Sequence, residues 1–398
     1  MTAWSIPLFD TQFGADELEA VLRPLKAGWL TMGEEVLDLE AELAAATGAR
    51  HAIAVTNATT ALQLACAAVG VGPGDEVICP TLTFVATANA PRAFGAHVRL
   101  CESIGEDDLT VDPASIAANV TDSTRAILVV HYAGFACRMD EILALAAERD
   151  IPVIEDAAHA VFTRHRGKTL GLHGAIGCFS FYSNKNVTCG EGGAVVTDDD
   201  ELAAKVRLLR SHGMTAPTLD RHRGVATSYD VVLAGFNGRL DELRAALLRA
   251  QLTKLPGYLE RRRALFARYV EGFRNTPVVV PFSAGRFVGE LSETAVHIMP
   301  VLLPDRRQRP DVMARLAVDG IQTSIHYPPI HRFGTYREEG RNLARTAELA
   351  DRELTLPFFP GMSDEQVDRV VAAVLQAVAE VDDRGEAAPV AALSAAAG

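Results

Sequence analysis

Positive charge is in deficit in this sequence: 38 lysines and arginines stand against 51 aspartates and glutamates, a formal net charge of -13. Non-specific nucleic-acid binding needs clustered cations to displace phosphate counterions, so no nucleic-acid partner is expected. A small anionic ligand stays open, because a few local donors override a weak global field. Paired cysteines are lacking as well. The six present (Cys66, Cys79, Cys101, Cys137, Cys178 and Cys189) are scattered, mostly through apolar runs, with no Cys-x-x-Cys among them. That usage reads as buried reduced thiols, and it argues against a metal site or a disulfide framework. No apolar run reaches about 18 residues without a polar interruption, so no membrane span is expected. Met1 to Asp10 has no basic region followed by an apolar core and does not read as a signal peptide. The expectation is a soluble, cytoplasmic protein.

What is present is the composition of an ordinary globular enzyme, 48% hydrophobic and 22% charged. A chain of 398 residues suits one large domain plus a smaller one. Between about 52 and 197, β-like runs (52–56, 76–79, 125–131, 152–155, 178–182, 194–197) alternate with helix-like stretches (60–69, 86–94, 139–148). Apolar strands separated by helices imply an α/β fold whose largely parallel sheet is covered on both faces. Ligands of such sheets sit at the carboxyl ends of the strands. After Gln251 the pattern changes: a helix over 255–273, strand-like segments at 278–281 and 295–303, and helices near 311–319 and 364–381. The predicted division is a large domain over 1–250, with 1–15 as an N-terminal arm, and a small C-terminal α/β domain over 251–384. The alanine-rich stretch 385–398 reads as a disordered tail.

Lysine is the scarcest chemistry-bearing residue, five against 33 arginines. Lys26, Lys205 and Lys254 fall in or beside predicted helices among polar neighbours, the usual solvated position, and Lys168 reads as part of a turn. Lys185 differs. It follows the strand Cys178-Phe179-Ser180-Phe181-Tyr182 and precedes Gly190-Glu191-Gly192-Gly193, a turn that lets backbone approach a ligand. A lysine becomes a useful nucleophile when its pKa is lowered, and a surface position is the alternative until partners are found.

Two other segments supply partners. Asp156 directly follows the buried run Pro152-Val153-Ile154-Glu155, where a carboxylate is costly unless paired. It suits the nitrogen of a pyridine cofactor, although a helix cap is the alternative. His159 lies three residues on, either touching the same ligand or simply packed. Asn57-Ala58-Thr59-Thr60 joins a strand to a helix and exposes small residues at a helix N-terminus, a phosphate site or an ordinary cap. It has neither a P-loop pattern nor a dinucleotide fingerprint.

Taken together, the segments resemble the DegT/StrS-type sugar aminotransferases, which are fold-type I enzymes dependent on pyridoxal phosphate (PLP). The resemblance rests on Ala27-Gly28-Trp29-Leu30-Thr31, Pro73-Gly74-Asp75-Glu76-Val77-Ile78, Thr83-Phe84-Val85-Ala86-Thr87, Glu155-Asp156-Ala157-Ala158-His159, Phe179-Ser180-Phe181-Tyr182, Lys185-Asn186, Gly190-Glu191-Gly192-Gly193, Gly235-Phe236-Asn237-Gly238-Arg239 and His326-Tyr327-Pro328-Pro329, all in order. It implies that Lys185 carries the cofactor as a Schiff base and shuttles protons, that Asp156 pairs with the pyridinium nitrogen, and that His159 lies near the ring. It further implies that Phe84 stacks on the ring and that Ala58, Thr59 and Ser180 hold the phosphate. Asn237 would reach the phosphate site of a second subunit, which makes a homodimer with shared active sites the expected assembly. Trp29, His326 and Tyr327 would line the substrate entrance.

The implied reaction moves an amino group from an amino acid, glutamate or glutamine, to a keto sugar, most naturally one attached to a nucleotide. The rivals are a keto-cyclitol or other free ketone as acceptor, a PLP-dependent sugar dehydratase, and a non-catalytic regulator. Dehydratase relatives carry histidine at the Schiff-base position, and Lys185 counts against that assignment. Asn57-Ala58-Thr59 stands where the family commonly has Ser-Gly-Thr, and Cys189 where it often has Thr. The stretch 214–229 holds Arg221, His222 and Arg223, which read either as a solvated basic loop or as a site for a substrate diphosphate.

Overall fold

The structure, a computed structural model, describes residues 4–216, 218–339 and 343–384. The predicted tail at 385–398 therefore lies outside the described residues. Seven strands form the central sheet: β1 (His51–Val55), β2 (Glu76–Pro80), β3 (His97–Cys101), β4 (Thr124–Val130), β5 (Val153–Asp156), β6 (Ile176–Ser180) and β7 (Gly193–Thr197). Their order is β1-β7-β6-β5-β4-β2-β3. β7 runs antiparallel to both neighbours, and the other pairings are parallel. The expected α/β class with a mostly parallel sheet is what the chain adopts.

Alternation along the strands explains why both faces are covered, since successive side chains point to opposite sides. Ile53 and Val55 pack in a core with Ala61, Leu62 and Leu64 of helix Ala58–Ala68. Ala52 and Ala54 face the other way, into a core with Leu39 and Leu43 of helix Glu34–Thr47. Strand β3 escaped the sequence reading because His97-Val98-Arg99-Leu100-Cys101 sits at the sheet edge, where polar residues dilute the apolar signal.

A separate core gathers around β8 (Met299–Leu302) and β9 (Glu353–Leu356), which pair antiparallel, with helices Arg309–Val318 and Asp364–Arg384. The segment 278–281 makes only an isolated bridge, Val279 to Leu302, instead of a strand. The helix expected over 255–273 begins at Glu242 and runs 31 residues to Gly272. Proline usually ends or starts a helix, but here Pro256 lies inside it. Leu248 and Leu255 of this helix join the sheet-side core, while Leu265, Phe266 and Tyr269 join the other.

At the end of β5, two adjacent carboxylates face different tasks. Glu155 is fully buried and accepts hydrogen bonds from His131 Nε2 at 2.9 Å, Gly171 N at 2.7 Å and Gly174 N at 2.5 Å. Cys137 N donates to His131 Nδ1 at 3.2 Å, which leaves the ring proton on Nε2. Removing the carboxylate would orphan three donors, those of His131 and Gly171 buried and that of Gly174 partly so. Glu155→Ala is therefore expected to cost about 3–5 kcal/mol, read from chemical denaturation; a loss below about 1 kcal/mol would contradict the assignment.

Candidate active site

Four strand ends converge on one cleft of about 440 Å³. β1 delivers Asn57, Ala58 and Thr59, β2 the segment from Thr83 to Phe84, β5 Asp156 and His159, and β6 Ser180 and Lys185. His326 and Tyr327 close it from the second core's side. Nine of the predicted site residues thus meet in one chamber. Trp29 and Asn237 are not among its walls.

Lys185 is held by the chain that leaves β6. The strand ends at Ser180, earlier than the sequence implies, so that Tyr182 points out of the sheet and is exposed. Lys185 N donates to Tyr182 O at 2.9 Å, Ser183 Oγ to Gly190 O at 3.2 Å, and Thr188 Oγ1 to Phe181 O at 3.1 Å. Gly190 takes φ +84°, a left-handed turn that suits glycine. A Cβ on Gly193 would lie 2.5 Å from Asn57 C, so glycine there lets β7 lie against the turn of Asn57 and Ala58.

The other lysines are engaged elsewhere. Lys26 is exposed, and Lys168 lies 3.6 Å from Asp198. Lys205 Nζ donates to Ala68 O, and Lys254 Nζ donates to the buried Glu17 at 2.6 Å, so neither is simply solvated.

The phosphate-like turn has the chemistry of an anion site. Asn57 is the N-cap of helix Ala58–Ala68, its Oδ1 accepting from Thr60 N at 2.8 Å. That bond satisfies the third amide of the helix. The first two, on Ala58 and Thr59, have no carbonyl one turn back to receive them. Ser180, buried, lines the same cleft.

Asp156 is held by Thr87 Oγ1, which donates to Oδ2 at 3.0 Å, and by Ala158 N, which donates to Oδ1 at 3.1 Å. Burial pushes its carboxyl above the ordinary range, against the opposing pull of those two donors and of Lys185. A buried carboxylate in that condition is a seat for a cationic partner.

The histidines can be assigned tautomers from their partners. Ala133 N donates to His159 Nδ1 at 3.3 Å, so the ring proton sits on Nε2 and is donated to Tyr327 Oη at 3.0 Å. Tyr327 then keeps its own proton for a ligand. Burial and the neighbouring Lys185 hold His159 well below the usual imidazole range. His326 is pulled down to about 4 by burial, with Lys185 adding to the effect, and its Nδ1 meets Thr355 Oγ1 at 2.9 Å. Phe84, 55% exposed, lies 5.8 Å from the Tyr327 ring at the mouth.

A buried histidine beside Lys185 went unread in the sequence. His297, buried, places Nε2 3.5 Å from Lys185 Nζ. Most residues of 221–229 are exposed, as in a solvated basic loop, while Arg223 pairs with Glu34 at 2.5 Å, Arg221 lies over the Tyr229 ring and His222 packs on Trp29.

Desolvation in the cleft brings the Lys185 ammonium from the ordinary lysine range down to about 7, against the attraction of Asp156. A lowered pKa makes the neutral amine available near neutrality. The rate at which apoprotein captures PLP should rise with pH to a midpoint near 7 and then level. Stopped-flow absorbance checks this, and a rate still climbing steeply above about pH 9 would contradict it, because that is the behaviour of an ordinary lysine.

Residues 11–375 match the model of the DegT/DnrJ/EryC1/StrS aminotransferase family. The chain belongs to that family. It is 37% identical to the spore coat polysaccharide biosynthesis protein SpsC of Bacillus subtilis (strain 168), over 95% of this chain and 97% of the relative. The PLP form of the putative sugar aminotransferase Spr1654 from Streptococcus pneumoniae superposes with a TM-score of 0.86 at 26% identity, covering 95% of this chain and 98% of that one. DesI, solved in the presence of its TDP-sugar product, superposes with a TM-score of 0.84 at 31% identity, covering 96% and 97%. The DegT/DnrJ/EryC1/StrS chain is thus a PLP-dependent aminotransferase. Its residues fit the cofactor: a desolvated lysine, a buried carboxylate seeking a cation, and two unpaired helix amides share one cleft. Among the described residues no group of His, Cys, Asp or Glu is placed to hold a metal, and no helix is long and apolar enough to cross a membrane.

Proposed function

We propose that the enzyme transfers an amino group from glutamate or glutamine to a keto sugar carried on a nucleoside diphosphate. The observation that carries the reading is the meeting of Lys185, Asp156 and the Ala58–Thr59 turn in one cleft. PLP bound there supplies an electron sink for the bond being broken at the substrate carbon. Lys185 would hold the cofactor through its amine and, once released, would serve as the base that moves the proton at the substrate carbon. Asp156 keeps the ring nitrogen protonated. The amides of Ala58 and Thr59 and the Ser180 hydroxyl take the phosphate. Phe84 would cover the ring and His159 would lie beside it, while Tyr327 would offer its proton to the substrate with His326 at the same wall of the cleft.

A nucleotide-linked acceptor is supported by the similarity to DesI, whose structure was solved in the presence of its TDP-sugar product. A second subunit completes the site in this reading. Asn237 and Phe236 are exposed, as are Tyr182, Tyr229, Val231 and Val232, a set of apolar side chains suited to burial against a copy of the chain. Asn237 would reach the partner's phosphate site and Trp29 the substrate entrance. We further assign residues 1–250 to a cofactor-binding domain and 251–384 to a small domain, with helix Glu242–Gly272 running through the boundary and its Leu255 packing on the sheet side. The six buried free cysteines suit a reducing compartment such as the cytoplasm.

To test the acceptor, enzyme loaded with pyridoxamine phosphate is mixed with nucleotide keto sugars and, separately, with keto-cyclitols. The visible PLP band should return with a nucleotide keto sugar. A return only with keto-cyclitols would overturn the acceptor assignment.

A further inference from the structure

We propose that His297 is a positioning residue whose Nε2 lone pair receives the Lys185 amine whenever that amine is not bonded to the cofactor. The inference rests on the reading of Lys185 as the cofactor lysine. The geometry fixes the ring in a chain of steps. Asn186 Nδ2 donates to Ala295 O at 3.0 Å, which sets which way the amide faces. Its Oδ1 then accepts from His297 Nδ1 at 3.0 Å, so the ring proton sits on Nδ1. Nε2 is left as an acceptor, and it faces Lys185 Nζ at 3.5 Å.

The backbone of His297 is pinned as firmly as its ring. His297 N donates to Ala133 O at 2.7 Å, and Arg262 Nη1 donates to His297 O at 3.0 Å. Asn186 and His297 are both buried, so the ring has no room to turn. The charged and titratable groups facing His297 are Lys185, His159, Arg262 and His326. Burial foremost, with Lys185 and the other three neighbours adding to it, holds the ring well below the ordinary imidazole range, and therefore neutral. A protonated ring would turn a donor toward Lys185 and repel it.

The arrangement suits a lysine that is alternately bonded and free. During transfer the amine must leave the cofactor, stay within reach, and return. A contact of 3.5 Å is long for a hydrogen bond. It keeps the amine near without tying it down. Asn186 reaches Lys185 through the His297 ring, and that ring also lies 4.5 Å from the His159 ring, so the titration of Lys185 is the readout specific to the proposed contact.

Two measurements test the proposal. In wild-type apoprotein, long-range nitrogen–proton NMR of His297 should report the Nδ1–H tautomer; an Nε2–H tautomer overturns the proposal and needs no variant to fold. In His297→Phe, the pH midpoint for chemical labelling of Lys185 in apoprotein, followed by mass spectrometry, should fall by about one unit, a tenfold change in proton affinity. His297→Gln, which can present an acceptor oxygen, should recover part of that shift. An unchanged midpoint in folded His297→Phe overturns the proposal. Failure of the aminotransferase reading is seen separately, in amino-acceptor turnover and in the visible band of wild-type holoenzyme.

Discussion

Lys185→Ala should give a protein that folds, binds PLP without the visible band of the covalently held cofactor, and transfers amino groups at least about 10⁴-fold more slowly than wild type. The size follows from the loss of two roles at once. In the proposed reading, the variant can neither hold the cofactor covalently nor carry a proton at the reacting carbon. No other lysine is placed to take over: among the described residues Lys185 is the lysine that lines the cleft, while Lys205 and Lys254 are committed to Ala68 and Glu17. The same change should stabilise apoprotein at neutral pH. The folded-state pKa of Lys185 is depressed, so the unfolded chain binds the extra proton between about 7 and the ordinary lysine value. That cost vanishes in the variant, and the gain should fade as pH rises toward about 10. A variant with wild-type turnover, or one whose visible band persists, would contradict the assignment.

Asp156→Asn is the second large effect, with turnover expected to fall by about 10²- to 10⁴-fold. The amide occupies the same space and can still accept from Ala158 N or Thr87 Oγ1, so the loss is electrostatic. If Asp156 faces the ring nitrogen as proposed, a neutral group there would no longer favour its protonated form, and the electron sink would weaken. Stability of the apoprotein should move the other way. Burial raises the folded pKa of Asp156, a destabilising contribution at neutral pH that disappears as pH falls toward the unfolded value. Asp156→Asn apoprotein should therefore melt higher than wild type near pH 7, with the difference shrinking toward about pH 4. Steady-state kinetics and thermal melts check the pair of predictions. Equal turnover in the variant would place the ring nitrogen elsewhere.

Lys185 and Asp156 were legible because each follows a buried strand, and ligands of parallel sheets sit at strand ends. Their order along the chain is also their order across the sheet, β5 beside β6. His297 was not legible. It sits in Ala295-Val296-His297-Ile298-Met299, read as part of a strand, and its partner Asn186 is 111 residues earlier. The available signal was a polar residue inside an apolar run, which local pattern cannot distinguish from a packed histidine. The shift of the strand end from Tyr182 to Ser180 has a similar cause: Phe181 continues the apolar run, but the sheet stops where the chain must turn to present Lys185. Trp29 and Asn237 carry motif identity without lining the cleft of their own chain. In the dimer reading, their roles depend on a second subunit, and no spacing within one sequence encodes that contact.

The most direct test of the central claim is borohydride reduction of the purified holoenzyme followed by peptide mass spectrometry. The account predicts a reduced pyridoxyl adduct on the peptide containing Lys185 and nowhere else. An adduct on Lys168, Lys205 or Lys254, or none at all in protein that binds PLP, would contradict it.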